Sequence, residues 1–546
     1  MLKKRLISFI HTLPFILLFV MAAEAQGQSV RPPLMGWSSW NAFGINLSES
    51  IVMQQADLLV EKGLAKAGYK QVNIDDCFFG YRDANGYMTA NPLRFPGGME
   101  AVTDHIHRLG LKAGIYSDAG DNTCASRSEL TKDPYGIGAG LWQHEAQDAD
   151  RYFNDWHFDF IKIDYCGGRH LKLYEPIRYG YIKKVIDSVV SRPVDINLCC
   201  WHFPGSWASE IGWSWRIGND VMPIWESINY TMEKNMYLSA YAGGGHYNDM
   251  DMLVVGFENK ASSLPKGQYL TRTEEESHFG LWCIMSSPLV LGCDLNYLSQ
   301  ETKELITNPE LIAVNQDRLG LQAKVVQHEG AGYVLAKDLH KLRGKTRAVA
   351  LYNPSDSNHY FVVDARVIEL DGTLKIRDLT HRQDLGKVQD FFQHLSMNLP
   401  PHSATILSVK GQKRLEPTRY EAEWGYIPSY NDIPGYENAQ YVKADGASCQ
   451  AGVSGLGGSK ECCLQWNDVF CKKGGNYQLK IRYRCDENCP IELVVNGETK
   501  NETLWTDDCW CILKTDITLH KGYNSIQIGN ENAAIPAIID CINIIH

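Results

Sequence analysis

Aspartates recur in this chain at the ends of short apolar runs. Asp75 and Asp76 follow Val72-Asn73-Ile74, Asp118 follows Gly114-Ile115-Tyr116, and Lys162 and Asp164 flank Ile163. Arg216 and Asp220 follow the Trp213–Trp215 run, and Asn248, Asp249 and Asp251 precede Leu253-Val254-Val255. A lone carboxylate in such a place is ordinarily a helix cap or an ion-pair partner. Several gathered in one site raise each other's pKa, so that one stays a protonated acid while another is ionised as a nucleophile. Cleavage of a glycosidic bond by two carboxylates uses that division. Trp37, Trp40, Trp201, Trp207, Trp213 and Trp215 offer flat apolar faces on which sugar rings stack, and they serve equally well as core. The same aspartates suit Ca²⁺ or Mg²⁺, which leaves a metal-dependent hydrolase as a second reading.

The elements that would carry these residues alternate in period. Strand-like runs at Gln71–Ile74, Leu111–Tyr116, Phe158–Ile163 and Val194–Leu198 are separated by helical stretches such as Ser48–Lys62, with Ile51, Leu58, Leu59 and Val60 on an apolar face. Alternating βα units predict a parallel sheet, and a span from residue 30 to 320 suits a (β/α)8 barrel, whose typical size is about 250 residues. In such a barrel, polar residues at the C-terminal strand ends converge on one mouth. Near residue 320 the texture changes to short strands at Ala323–Gln327, Gly332–Leu335, Arg347–Tyr352 and Tyr360–Val363, which predicts an antiparallel β domain over 321–411. After the polar stretch Lys410–Arg414, residues 416–546 are again strand-like and cysteine-rich, and a β-sandwich or jelly roll is expected.

A chain of 546 residues with 44% hydrophobic and 21% charged residues can build several cores. Its net charge of −11 argues against nucleic acid or an anionic membrane as the main partner. Lys3, Lys4 and Arg5, an apolar run from Leu6 to Val20, and Ala23-Glu24-Ala25 have the order of a secretory signal peptide over residues 1–25. No later segment reads as a membrane span, so a secreted or periplasmic protein is expected. The 16 cysteines suit an oxidising compartment, and disulfides are expected among them. There is no GxSxG, P-loop or HExxH, and no Lys-Ser/Thr pair follows Gly243-Gly244-Gly245-His246 to hold phosphates.

From residue 32 to 318 the chain resembles glycoside hydrolase family 27, the α-galactosidases and α-N-acetylgalactosaminidases. The motifs stand in the family's order: Pro33–Asn41 (PLMGWSSWN), Ile74-Asp75-Asp76-Cys77, Gly110–Tyr116 (GLKAGIY), Ile161–Cys166 (IKIDYC), Trp215-Arg216 with Asp220, Asn248–Leu253 (NDMDML) and Ala313–Asp317 (AVNQD). The resemblance implies retaining hydrolysis of terminal α-D-galactosyl residues in oligo- or polysaccharides without a catalytic cofactor, with Asp164 as nucleophile and Asp220 as acid/base. It implies Asp75 and Asp76 on the sugar's 4- and 6-hydroxyls, Trp40 as an apolar wall, Lys162 on sugar hydroxyls, Arg216 near O2, and Tyr116 and Asp251 lining the pocket. It also implies a disulfide between Cys124 and Cys166. Two departures stand out: Phe78 replaces the usual Trp, and Cys200 follows Cys199 where an acidic residue ordinarily faces O2. Cys200 thus opens other specificities of the family: α-N-acetylgalactosaminidase, β-L-arabinopyranosidase or isomalto-dextranase. Asp76 favours a sugar that keeps its hydroxymethyl group. A non-catalytic carbohydrate-binding protein is the alternative of another class.

The last 130 residues resemble carbohydrate-binding modules of families 6 and 35, from Tyr420-Glu421-Ala422-Glu423 to Ile539-Asp540-Cys541-Ile542. The resemblance implies a structural Ca²⁺ held by Glu421, Glu423 and Asp540, with Trp466, Trp505 and Trp510 as candidate sugar contacts or core.

Overall fold

The computed structural model describes residues 30–545 except 130, 258–268, 389–393, 437, 507 and 508; the expected signal peptide lies outside them. Eight parallel strands form the first sheet: β1 (Met35–Ser38), β2 (Gln71–Asn73), β3 (Lys112–Asp118), β4 (Phe160–Asp164), β5 (Asp195–Leu198), β6 (Ser214–Arg216), β7 (Tyr247–Asp249) and β8 (Leu289–Leu291). From β1 to β7 each pairs with the next in sequence, and β8 pairs with β1. The ring closes where Leu253, beyond β7, bridges Leu291 in parallel, with Leu253 N–H donating to Val290 O and Gly292 N–H to Leu253 O. The result is a (β/α)8 barrel. The apolar run Leu253–Val255 is not itself a strand: the strand is Tyr247–Asp249, just before it, and Leu253 only bridges.

The helix expected over Ser48–Lys62 is present, though Val60 of its expected apolar face is 40% exposed. Glu49–Glu61 is capped by Ser48, whose hydroxyl accepts from Ile51 N–H, and it buries Val52, Gln55, Ala56 and Leu59. Arg272–Ile284 starts with a capping box between Thr271 and Glu274 and is buried over most of its length.

Strand alternation decides which side chains enter the barrel. Asn73 and Asp75 share one side of β2 and its extension, Phe160, Lys162 and Asp164 one side of β4, and Ser214 and Arg216 one side of β6. Gly114 has the inward place on β3, and a Cβ there would lie 2.0 Å from Asn73 Oδ1 and 2.9 Å from the Phe160 ring. A small residue is needed because its neighbours fill the lumen.

An antiparallel sheet follows: β9 (Lys324–Glu329), β10 (Gly332–Asp338), β11 (Thr346–Asn353), β12 (Leu374–Asp378), β13 (Gln383–Val388) and β14 (Ser403–Lys410), in the order β9-β10-β11-β14-β12-β13. It docks on helix Arg272–Ile284, where Gly280 meets Ile406 and the Ser277 hydroxyl donates to His402 O and accepts from Ala404 N–H. Two larger antiparallel sheets dominate the C-terminal region, beside a two-stranded pair of Leu456–Gly457 with Ala534–Ile535. One gathers Gln440–Lys443, Ala451–Ser454, Ala537–Ile545, Gly475–Cys485 and Cys511–Leu519, with Arg419–Glu421 on Ala537–Ile545. The other holds Leu464–Cys471, Gly522–Gly529, Cys489–Val495 and Glu498–Leu504.

The expected disulfide is present. Cys124 and Cys166 form a disulfide, as the resemblance implies, and the other 14 are thiols, including all nine beyond residue 448. Seven of those nine are buried; Cys471, Cys485, Cys489 and Cys541 lie in strands, and Cys449, Cys462 and Cys463 between strands, where they pack as small apolar groups with weak contacts such as that of Cys471 Sγ with the Tyr477 hydroxyl at 3.0 Å.

Candidate functional site

The strand-end residues converge as the barrel topology requires. Lys162 Nζ lies 3.0 Å from Asp75 Oδ2 and 3.7 Å from Asp164 Oδ1. Across the mouth, Arg216 is 2% exposed and places Nη1 2.9 Å from Asp251 Oδ1 and Nη2 2.9 Å from Asp220 Oδ1. Beneath them lies a cavity of about 40 Å³, lined by Asn73, Asp75, Lys162, Asn197, Ser214, Arg216, Asp249 and Asp251 among others. Asn197 Nδ2 donates to Ser214 Oγ at 2.8 Å and to Asp249 Oδ2 at 2.7 Å, tying β5, β6 and β7 together under the charged layer.

Asp164 and Asp220, the expected catalytic pair, differ in environment. Asp164 is buried, with Oδ2 3.3 Å from the Cys124 sulfur, while its Oδ1 accepts no hydrogen bond. Burial pushes its carboxyl up to about 6, against the pull of Lys162 and with the help of Asp75. Asp220 has a side chain 59% exposed. Its Oδ1 accepts from Arg216 and, at 3.1 Å, from the indole N–H of Trp201. Enclosure by the mouth raises its carboxyl, but Arg216 and then Lys162 more than offset this, so it is held below the ordinary carboxylate value.

The expected sugar contacts are not all alike. Trp40 begins the short helix Trp40–Phe43 after β1 and packs against Leu34, Phe160, Met252 and Val290. Tyr116 is buried, takes the Lys162 ammonium 5.5 Å from its ring centroid, and accepts from Cys124 N–H at 3.4 Å. Asp251 has φ +76° and accepts from Val221 N–H at 2.7 Å, which fixes the chain beside Asp220. Asp76 differs from Asp75: its oxygens accept from Cys77 N–H at 2.7 Å and Ala125 N–H at 2.8 Å, coupling the end of β2 to the Cys124 loop, and burial pushes its carboxyl up to about 7.

Cys200 does not reach the mouth. Its Sγ lies 3.7 Å from the Tyr179 hydroxyl, on the face of the barrel that packs against helix Glu175–Val189. Cys199 turns inward instead, with Sγ 3.8 Å from Arg216 Nη1. Period-two alternation from Asn197 would have chosen Cys199. Sequence reasoning also left two polar roles unassigned. Trp201 hydrogen-bonds Asp220. Asp118 is fully buried, and its Oδ1 accepts from Gly120, Gly167 and Gly168 N–H at 2.6, 3.0 and 3.3 Å, which locks β3 to the turn after β4. Burial pushes Asp118 up to about 8.

Asp76, Asp118, Asp164 and Asp251 all have raised values, about 7, 8, 6 and 6, so the folded chain binds more protons than the unfolded chain between the ordinary aspartate value and those values. The stability they contribute is full below the unfolded pKa and is lost as pH rises through the folded ones. The melting temperature is therefore expected to be higher near pH 5 than near pH 8. Asp118→Asn, which keeps the accepting oxygen, should flatten that slope. A melting curve that rises toward pH 8 would contradict these environments.

Residues 32–317 match the family model Melibiase_2, described as α-galactosidase A. The chain is 37% identical over 354 residues to α-galactosidase A of Cellvibrio japonicus, covering 62% of this chain and 81% of that protein. It is 39% identical over 382 residues to an α-galactosidase of Oryza sativa, covering 69% and 84%. Among solved structures, α-galactosidase I from Mortierella vinacea superposes with a TM-score of 0.62 at 30% identity, over 70% of this chain and 98% of that one. A β-L-arabinopyranosidase from Geobacillus stearothermophilus shares the fold, with a TM-score of 0.60 at 24% identity over 70% of this chain and 97% of that one.

Proposed function

The chain is a glycoside hydrolase belonging to the α-galactosidase family Melibiase_2, and we propose that it removes terminal α-D-galactosyl residues from oligo- or polysaccharides with retention at the anomeric carbon. The observation that carries this reading is the buried, unpartnered Asp164 Oδ1 beside the Lys162 ammonium. An oxygen stripped of hydrogen bonds and held near a cation is suited to attack an anomeric carbon and to carry the sugar as an ester.

In the first step Asp164 Oδ1 forms a bond to C1 while the glycosidic C–O bond breaks and Asp220 delivers its proton to the leaving oxygen. In the second, Asp220 takes a proton from water as the water oxygen attacks C1 and Asp164 departs. Asp75, with Lys162, would hold the 4- and 6-hydroxyl side of the ring, and Arg216 the O2 side. Without substrate, Arg216 keeps Asp220 ionised, which is the wrong state for a proton donor. A sugar that displaces water and draws the Arg216 fork toward O2 would raise Asp220, so the basic limb of kcat should lie at higher pH than that of kcat/KM. Coincident limbs would contradict this account. Because Cys200 faces helix Glu175–Val189, it gives no support to a pocket enlarged for a 2-acetamido group.

Asp164→Ala is expected to abolish turnover with the melting temperature kept. Asp220→Ala should slow galactosides with poor leaving groups by about 10²–10⁴-fold and activated aryl galactosides far less, since general acid catalysis contributes about that much. Release of p-nitrophenol from aryl α-galactoside, α-N-acetylgalactosaminide, β-L-arabinopyranoside and α-glucoside tests the sugar. Turnover of the first alone supports the reading, and turnover of none favours a binding protein.

The C-terminal sheets fit a carbohydrate-binding β-sandwich with a structural calcium. Glu423 is fully buried, and neither carboxylate oxygen has a partner. Glu421 and Asp540 lie alongside, the first paired with Arg419 at 2.6 Å and the second with Arg482. Hard oxygens in a buried cluster suit Ca²⁺, and the neighbouring Cys449 and Cys541 are soft donors that this ion does not use. Trp466 is core, donating to Glu421 O, whereas Trp505 is 62% exposed and free to meet a sugar. Calcium should raise the melting temperature, a chelator should lower it, and Glu423→Gln should remove both effects; a melting temperature indifferent to calcium would overturn the site. The basic and apolar leader, the disulfide and the sugar substrate together support action outside the cytoplasm. Among the described residues no helix is long and apolar enough to cross a membrane.

A further inference from the structure

The segment after β5 links Asp220 to the far end of the chain. Trp201, which donates its indole N–H to Asp220 at 3.1 Å, has φ +62°, a left-handed backbone that a bulky residue holds only where its surroundings impose it. Within the barrel, Arg169 supports it, with its guanidinium 5.3 Å from the Trp201 ring and Nη2 donating to Cys200 O at 3.0 Å. His202 Nε2 is 3.0 Å from Glu175 Oε2.

The remaining supports come from the C-terminal region. Phe203 is fully buried and stacks on Tyr430 with centroids 5.5 Å apart and planes at 20°. Asp432 N–H donates to Phe203 O at 2.9 Å, and Ser206 Oγ donates to Pro428 O at 2.9 Å. Gly205 has φ +121°, and a Cβ there would meet the Tyr430 carbonyl oxygen at 3.4 Å, so the two backbones lie close. The segment Ile427–Asp432 that supplies these contacts is itself pinned: Tyr430 OH donates to Asp432 Oδ1 at 2.8 Å, Lys234 Nζ lies 3.1 Å from Asp432 Oδ2, and the Tyr241 hydroxyl donates to Ile427 O at 3.1 Å.

We propose that the Ile427–Asp432 strap of the C-terminal region positions the catalytic acid: by clamping Phe203–Ser206 it holds Trp201 in its left-handed conformation with the indole N–H on Asp220. Tyr430 is thus a positioning residue for a reaction whose atoms it never touches. The inference rests on Asp220 being the acid/base. The indole bond favours the ionised carboxylate, so its loss raises the Asp220 pKa and moves the basic limb of the pH profile upward. It also lets the carboxyl swing away from the leaving oxygen.

The test uses the full chain, four single variants and one double variant, read by kcat/KM on an unactivated oligosaccharide and on an activated aryl galactoside, by the pH profile, and by melting temperature. Trp201→Phe is expected to slow the unactivated substrate about tenfold and the activated one little, as loss of a charge-assisted hydrogen bond would. Tyr430→Ala should reproduce that split and the upward shift of the basic limb. Ser206→Ala should do so more weakly, and Tyr430→Phe, which keeps the stack and loses only the hydroxyl bond to Asp432, should fall between Tyr430→Ala and the parent. In combination, Tyr430→Ala should add little to Trp201→Phe, because both act through one bond. If Trp201→Phe slows both substrates equally, the assignment of Asp220 fails. If Trp201→Phe gives the split but Tyr430→Ala and Ser206→Ala change only the melting temperature, or if the effects add, the strap has no positioning role and the proposal falls while the acid/base assignment stands.

Discussion

Lys162 and Arg216 each stand between two carboxylates at the mouth of the barrel, and the arrangement of every other polar residue there follows from those two cations. Charges removed from water must be paired, and a cluster of aspartates would otherwise drive itself to protonation. Lys162 meets Asp75 and Asp164, and Arg216 meets Asp251 and Asp220. In each pair of carboxylates one has an anchoring partner and the other is left more open. Asp75 and Asp251 accept bonds that fix the surrounding backbone, whereas Asp164 retains an oxygen with no partner and Asp220 a largely exposed side chain. The cations thus keep a carboxylate-rich mouth folded and leave two of its members available for chemistry.

The layers beneath and around the mouth stabilise that pairing. Asn197, Ser214 and Asp249 join three strands under the cations, and Asp118 and Asp76 bind backbone N–H groups of the loops that follow β3 and β4. The disulfide fastens Cys124 to Cys166, beside Asp164. Outside the barrel, the antiparallel sheet braces the helix between β7 and β8, and the C-terminal region reaches the loop after β5. Regions far apart in sequence therefore bear on one site.

The barrel, the convergence of its strand ends and the charged mouth were legible because extended chain alternates with period two and parallel strands aim their C-terminal ends one way. Asn73 and Asp75, Lys162 and Asp164, and Ser214 and Arg216 obey that rule. Cys200 shows where motif comparison and geometry diverge. By resemblance it fills the place of an acidic residue, yet its sulfur points at Tyr179, and Cys199 faces Arg216. Composition likewise led to disulfides among the 16 cysteines without saying which would pair, because a pair needs close, well-aimed Cβ atoms, which a count does not supply.

What the sequence determined by itself is the set of residues able to do the chemistry and the sheet that presents them, because both depend on local periodicity. What only the tertiary structure decided is how the chain behaves once it leaves the strands. Beyond Leu198 the alternation ends, Trp201 turns left-handed, and the direction of its indole is set by Phe203, Tyr430 and Asp432, the last two more than 200 residues away. No local pattern encodes that direction, since it depends on contacts formed only when the C-terminal region packs against the barrel.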